Sequence, residues 1–127
     1  MVNEPKVILL IEDDHFLSSL LKARLEKEEF TVMQAFDGEE AVHMLKETIP
    51  SLIVLDLIMP KVTGFEVLQM ISITPQLDKV PVIVLSNLAQ DSDVEKVRQL
   101  GAVGYFVKVK MSIDDLVEKI KSLVLPQ

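Results

Sequence analysis

An acidic triple, Glu12-Asp13-Asp14, a single Asp56, a Ser86 and a Lys108 each stand at the carboxyl end of a short apolar run. Aspartate is depleted in strands and is rarely buried without a partner. An Asp that closes Leu52-Ile53-Val54-Leu55 therefore needs a chemical reason. Three or four carboxylates gathered on one rim repel one another, and some are pushed toward protonation. A hard divalent cation relieves that repulsion, and Mg2+ in particular takes oxygen ligands from one or two carboxylates together with phosphate oxygens. A hydroxyl and an ammonium beside such a site are the donors a phosphoryl group needs. The chemistry this suits is phosphoryl transfer to the Asp56 carboxylate, giving an acyl phosphate whose oxygens Lys108 and Ser86 bind. Taken singly, each residue has a plainer role: a turn serine, a solvated lysine, helix-start acids favoured by the macrodipole. The argument rests on all of them falling at strand ends.

The elements that must position them alternate strictly. Val7–Ile11 reads as a buried strand, followed by a helix with Phe16, Leu17, Leu20, Leu21 and Leu25 on one inward face. Phe30 to Phe36 is a shorter mixed strand that suits an edge, Asp37-Gly38 a turn, and Glu39 to Glu47 a helix with Ala41, Val42 and Leu45 inward. Leu52 to Asp56, a continuous apolar run into a carboxylate and then Pro60, reads as a strand buried on both faces. Gly64 closes a loop before a helix from Phe65 to Ile73, with Phe65, Leu68 and Ile71 toward the core. Val80 to Leu85 is a fourth strand. Asp91, Ser92 and Asp93 offer N-caps for a helix carrying Val94, Val97 and Leu100, and Gly101 is its C-cap. Tyr105 to Val107 is the fifth strand, and Ser112 caps a last helix striped by Ile113, Leu116, Val117, Ile120, Leu123 and Val124. Five strand–helix units imply a parallel sheet with helices on both faces, because the crossovers are right-handed. The carboxyl ends of parallel strands share one rim, which is where open α/β sheets bind ligands.

Bulk properties agree and narrow the function. The 127 residues suit one domain spanning 1–127, and 49% hydrophobic with 26% charged residues is a globular composition. A net charge of −7 argues against direct binding of nucleic acid or an anionic membrane, both of which require a Lys/Arg excess. The absence of cysteine excludes disulfides and thiolate metal sites and makes a cytoplasmic setting the expectation. The polar start, Met1 to Lys6, gives no sign of a signal peptide, and no apolar run reaches membrane-spanning length.

With these residues in place the chain resembles the receiver domain of two-component response regulators over residues 6–125. The marks are Glu12-Asp13, Asp56-Leu57-Ile58-Met59-Pro60 with Gly64 following, Ser86, Tyr105, Lys108 and the segment Ala35 to Ala41. The resemblance implies a flavodoxin-like, three-layer, doubly wound α/β fold with strand order 2-1-3-4-5. It implies that Asp56 accepts a phosphoryl group from a histidine kinase or phosphotransfer protein. Asp13, Asp56 and the Ile58 backbone carbonyl would ligate Mg2+, with Glu12 acting through water and Asp14 accessory. Ser86 would swing toward the phosphoryl group and Tyr105 would change rotamer with it, a population shift between two packings. The fourth helix, fifth strand and fifth helix would form the face read by a downstream protein target, and the same face would carry any homodimer contact. Apart from catalysing its own phosphorylation and dephosphorylation, such a chain is not an enzyme.

Two features depart from the family pattern. Val109 stands where the family usually has a proline after a cis bond, and a non-proline cis bond costs roughly 3–4 kcal/mol, so a trans Lys108–Val109 peptide is expected. Ile58 and Leu88, which flank the phosphoryl site, are both apolar and predict slow autodephosphorylation. His15 and His43 read as exposed surface residues. A flavin-binding reading fails because the acids after the first strand would repel a phosphate. A haloacid-dehalogenase-type phosphatase would need a second Asp where Ile58 stands. The rival that remains is a pseudo-receiver, a docking module that accepts no phosphate.

Overall fold

A computed structural model describes residues 5–87 and 91–126. Five strands, β1 (Val7–Ile11), β2 (Thr31–Ala35), β3 (Leu52–Asp56), β4 (Val82–Ser86) and β5 (Gly104–Val107), form one sheet in the order β2-β1-β3-β4-β5. Every pairing is parallel, with Ile11 opposite both Ala35 and Leu55, Asp56 opposite Leu85, and Ser86 opposite Val107. The helices are α1 (His15–Lys27), α2 (Gly38–Glu47), α3 (Gly64–Ser72), α4 (Asp91–Gln99) and α5 (Ile113–Val124). This is the parallel sheet expected from the alternation and the doubly wound, flavodoxin-like order implied by the resemblance, with β2 on the edge.

The period of two along each buried strand sorts its side chains into two cores. Leu9, Ile11, Ile53, Leu55, Val82 and Val84 face α2, α3 and α4, where Ala41, Leu45, Val67, Leu68, Ile71 and Val97 meet them. Ile8, Leu10, Leu52, Val54, Ile83 and Leu85 face α1 and α5, packing on Leu21, Leu25, Leu116, Val117 and Ile120. The apolar continuity of β3 and β4 is thus explained: both of their faces are covered.

Helix starts are capped as their sequences allow. Asp14, Asp37, Thr63 and Ser112 each accept a hydrogen bond from the backbone N–H three residues on. Asp37-Gly38 is therefore the cap and first residue of α2, and Gly64 opens α3, where the sequence suggested a free turn and a loop closure. Asp91 lies inside α4, so the cap of that helix falls outside the described residues. Gly101, at φ 104°, ends the segment after α4 in a conformation that favours glycine.

Helix α1 corrects the sequence reading. Phe16 and Leu20, expected inward, are 79% and 44% exposed, while Ser18 is fully buried with Leu21 and Leu25. The Ser18 hydroxyl accepts a hydrogen bond from Gln34 Nε2 of β2 at 2.9 Å, which makes its burial tolerable. Val67 of α3 is fully buried although the sequence reading passed over it, and Val42 and Phe65 are half-buried. No helix among the described residues is long and apolar enough to cross a membrane.

Candidate functional site

The carboxyl ends of β1, β3, β4 and β5 bring Glu12, Asp13, Asp56, Ser86 and Lys108 to one edge of the sheet, as the sequence predicted. Asp13, Asp14, Asp56, Ile58, Ser86, Asn87 and Lys108 line an open cleft of about 400 Å3 there. Asn87 also lines the cleft, with no signal in the sequence beyond its place next to Ser86.

Glu12 leaves β1 through its N–H, which donates to the Ala35 carbonyl at 3.0 Å, and its side chain is entirely buried. Its Oε2 accepts from the Asp14 N–H at 3.0 Å, and its Oε1 lies 2.7 Å from Lys108 Nζ. That Oε1 has no hydrogen bond of good geometry, so the contact with Lys108 is chiefly electrostatic. The Asp56 carboxylate is also buried: Oδ1 accepts from the Ile58 N–H at 3.3 Å and Oδ2 lies 3.0 Å from Lys108 Nζ. One ammonium thus bridges two buried carboxylates. Asp14 points elsewhere. Its Oδ1 caps α1 on the Leu17 N–H at 3.1 Å, so its accessory role is structural as well as positional.

Burial pushes the Asp56 carboxyl up to about 7, the Glu12 charge and a hydrogen bond with Asp13 push the same way, and Lys108 only partly opposes them. Burial by itself would lower the Lys108 ammonium, yet its contacts with Glu12 and Asp56 prevail and hold it above its ordinary value. An excess of buried negative charge is what one lysine leaves uncancelled. Oxygens of Glu12, Asp13 and Asp56 lie within 4.8 Å of one another. Three hard oxygen donors at that spacing fit a Mg2+ ion.

Ser86 is buried at the end of β4, and Tyr105 is half-buried on the neighbouring strand. Burial raises the Tyr105 hydroxyl while a hydrogen bond with Ser86 lowers it and the Asp93 charge raises it further. The two residues expected to move together are therefore already bonded to each other. Ile58 is 57% exposed at the mouth of the cleft. Leu88 lies outside the described residues. His15 stacks on Phe36 with ring centroids 4.1 Å apart, and His43 is exposed beside Glu47. The Lys108–Val109 bond is trans, since no cis peptide occurs among the described residues, and a 3-10 turn from Lys108 to Lys110 follows β5 directly.

Comparison with known proteins identifies this arrangement. Residues 8–121 match the family model described as the response regulator receiver domain. The transcriptional regulatory protein CpxR of Escherichia coli is 40% identical over 119 residues, which are 92% of this chain and 48% of CpxR. The polar-differentiation response regulator DivK of Brucella anthropi is 30% identical over 118 residues, covering 93% of this chain and 95% of DivK. The phosphorylated cyanobacterial phytochrome response regulator RcpA superposes with a TM-score of 0.85 at 30% identity, covering 96% of this chain and 95% of that one. The chain spans about half the length of most of the curated relatives it matches, DivK being an exception.

Proposed function

Because the chain belongs to the response regulator receiver domain family, we propose that it is a working phosphoacceptor, charged on Asp56 by a histidine kinase or phosphotransfer protein. The observation that carries this is the convergence of Glu12, Asp13 and Asp56 around the Lys108 ammonium at the carboxyl edge of the sheet. In the transfer step an Asp56 oxygen attacks the phosphorus of a phosphohistidine. The P–O bond forms as the P–N bond breaks, and the imidazole leaves with the electron pair. Mg2+ held by Asp13, Asp56 and the Ile58 carbonyl, with Glu12 through water, would offset charge on the transferred group. Lys108, already 3.0 Å from Asp56 Oδ2, then binds a phosphoryl oxygen. Ser86 exchanges its bond with Tyr105 for one to the phosphoryl group, and Tyr105 repacks, shifting the α4–β5–α5 face toward a downstream protein target or a second copy of the chain.

The exposed apolar side chains of Phe16, Leu20, Ile58 and Val109 near the same edge support docking of a phosphodonor protein there. On this reading the chain is a signalling phosphoacceptor acting only on itself, in the cytoplasm and away from membranes. Its acidic balance, with a net charge of −7, supports a chain that does not itself bind nucleic acid. The test is Mg2+-dependent labelling by acetyl phosphate, or binding of beryllofluoride. Labelling that disappears in Asp56→Asn and in EDTA supports the proposal. Absence of labelling in the native chain leaves the pseudo-receiver reading in its place.

A further inference from the structure

The ammonium of Lys96, on α4, stands over the Phe65 ring of α3 at 4.4 Å from its centroid. At that distance the ring quadrupole attracts the cation. Phe65 is half-buried against the core that α2, α3 and α4 share. It also follows directly on Gly64, the residue that ties α3 to the phosphoacceptor. The Gly64 N–H donates to the Leu57 carbonyl at 2.8 Å, and a Cβ there would sit 2.2 Å from the Asp56 carbonyl oxygen and 2.5 Å from the Leu57 Cα. The backbone of Asp56–Leu57 and the start of α3 are thus packed without slack at Gly64, and Phe65 is the next residue along the helix.

The two helices of the expected readout face are held very differently. Helix α5 buries Leu116, Val117 and Ile120 and is tied to α1 by Arg24–Asp114 at 2.6 Å and Lys121–Glu28 at 2.8 Å. Helix α4, among the described residues, fully buries Val97 alone, with Val94 and Leu100 half-buried. With so little apolar anchoring in the described part of α4, a charge–ring contact worth about 0.5–1 kcal/mol adds measurably to what holds it against α3.

We propose that Lys96 is a positioning residue for the phosphoacceptor: through the Phe65 ring it holds α4 and the first turn of α3 in the packing seen here and so resists the rearrangement that follows occupancy of Asp56. In this packing Lys108 Nζ lies 2.7 Å from Glu12 Oε1 and 3.0 Å from Asp56 Oδ2, contacts that a group on Asp56 would have to displace. The route runs through α3 and is separate from the Ser86–Tyr105 pair on β4 and β5. The proposal rests on the phosphoacceptor reading for its ligand but not for the contact itself.

The test uses the full chain with Lys96→Gln, Lys96→Arg and Phe65→Leu. Beryllofluoride is titrated in excess Mg2+ by calorimetry, and amide hydrogen exchange is followed in the metal-free protein. Lys96→Gln is expected to tighten beryllofluoride binding about two- to five-fold and to speed exchange in α4 and the first turn of α3 by a similar factor, the scale of one exposed cation–ring contact. Lys96→Arg, which keeps the cation, should match the native chain in both. In the Phe65→Leu background Lys96→Gln should change nothing further. Unaltered or weakened binding in Lys96→Gln overturns the proposal, as does an Arg variant that behaves like the Gln one. If Phe65→Leu does not fold, the Gln and Arg variants decide alone. If the native chain fails to bind beryllofluoride, the phosphoacceptor reading falls, and hydrogen exchange still decides the contact: no acceleration in Lys96→Gln refutes it.

Discussion

The most direct consequence of the site's charge balance is that the Asp56 carboxylate should destabilise the fold when ionised. Asp56 is raised from its ordinary 3.8 to about 7, chiefly by burial and then by Glu12. Between those values the folded chain keeps a proton on Asp56 that the unfolded chain has released. Stability supplied by that proton is complete below the ordinary value and is lost as pH rises through about 7. At about 1.4 kcal/mol per pH unit, the whole window is worth on the order of 4 kcal/mol, of which about 2 to 3 kcal/mol falls between pH 5 and pH 8. Asp56→Asn removes the titration while keeping an oxygen to accept the Ile58 N–H, and Lys108 keeps Glu12 at 2.7 Å. The assay is urea unfolding of both chains in EDTA across that range. The stability of Asp56→Asn relative to the native chain should grow with pH by that amount. Adding Mg2+ should close the gap by stabilising the native chain selectively. A stability difference that is flat or shrinks with rising pH refutes the reasoning.

Other outcomes follow from the same geometry. Lys108→Gln removes the one cation shared by two buried carboxylates and should slow acetyl phosphate labelling about ten- to a hundred-fold, measured by the rate of intact-mass shift. Gly64→Ala places a Cβ against the Asp56 and Leu57 backbone, which cannot yield as a flexible side chain would. It should cost about 1–3 kcal/mol or more in urea unfolding and impair labelling. Phosphoryl-Asp56 should be long-lived, because the exposed Ile58 at the cleft mouth offers no hydrogen bond to orient water; Ile58→Asn should shorten the half-life about tenfold, and a native half-life of seconds contradicts this.

What could be read in the sequence divides along physical lines. The parallel sheet and the placement of Asp56 and Ser86 followed from local patterns, since a buried parallel strand must be apolar on both faces and its carboxyl end must meet the others, whereas the strand order came from the family resemblance. The rotational phase of α1 did not follow. Phe16, Leu20, Leu21 and Leu25 supply more apolar surface than one face needs, and the sheet selects Ser18, Leu21 and Leu25. Gln34 on the neighbouring strand makes a buried serine acceptable, a fact no periodicity contains. The donor set of the site was legible because each residue type sits next to a strand end. The bridging of Glu12 and Asp56 by a single lysine was not, because it depends on side-chain reach across the sheet. The trans Lys108–Val109 bond agrees with the absence of proline, and a 3-10 turn over Lys108–Lys110 follows the strand.

The sheet also acts as a partition. Helix α4 belongs to one core and α5 to the other, on opposite faces of strands they share. A partner that gripped both helices would therefore sense the offset between two layers packed against the same sheet. Substitutions confined to either core would shift that offset without touching the contact surface, so the strength of such binding would drift while the exposed residues and Asp56 remain unaltered.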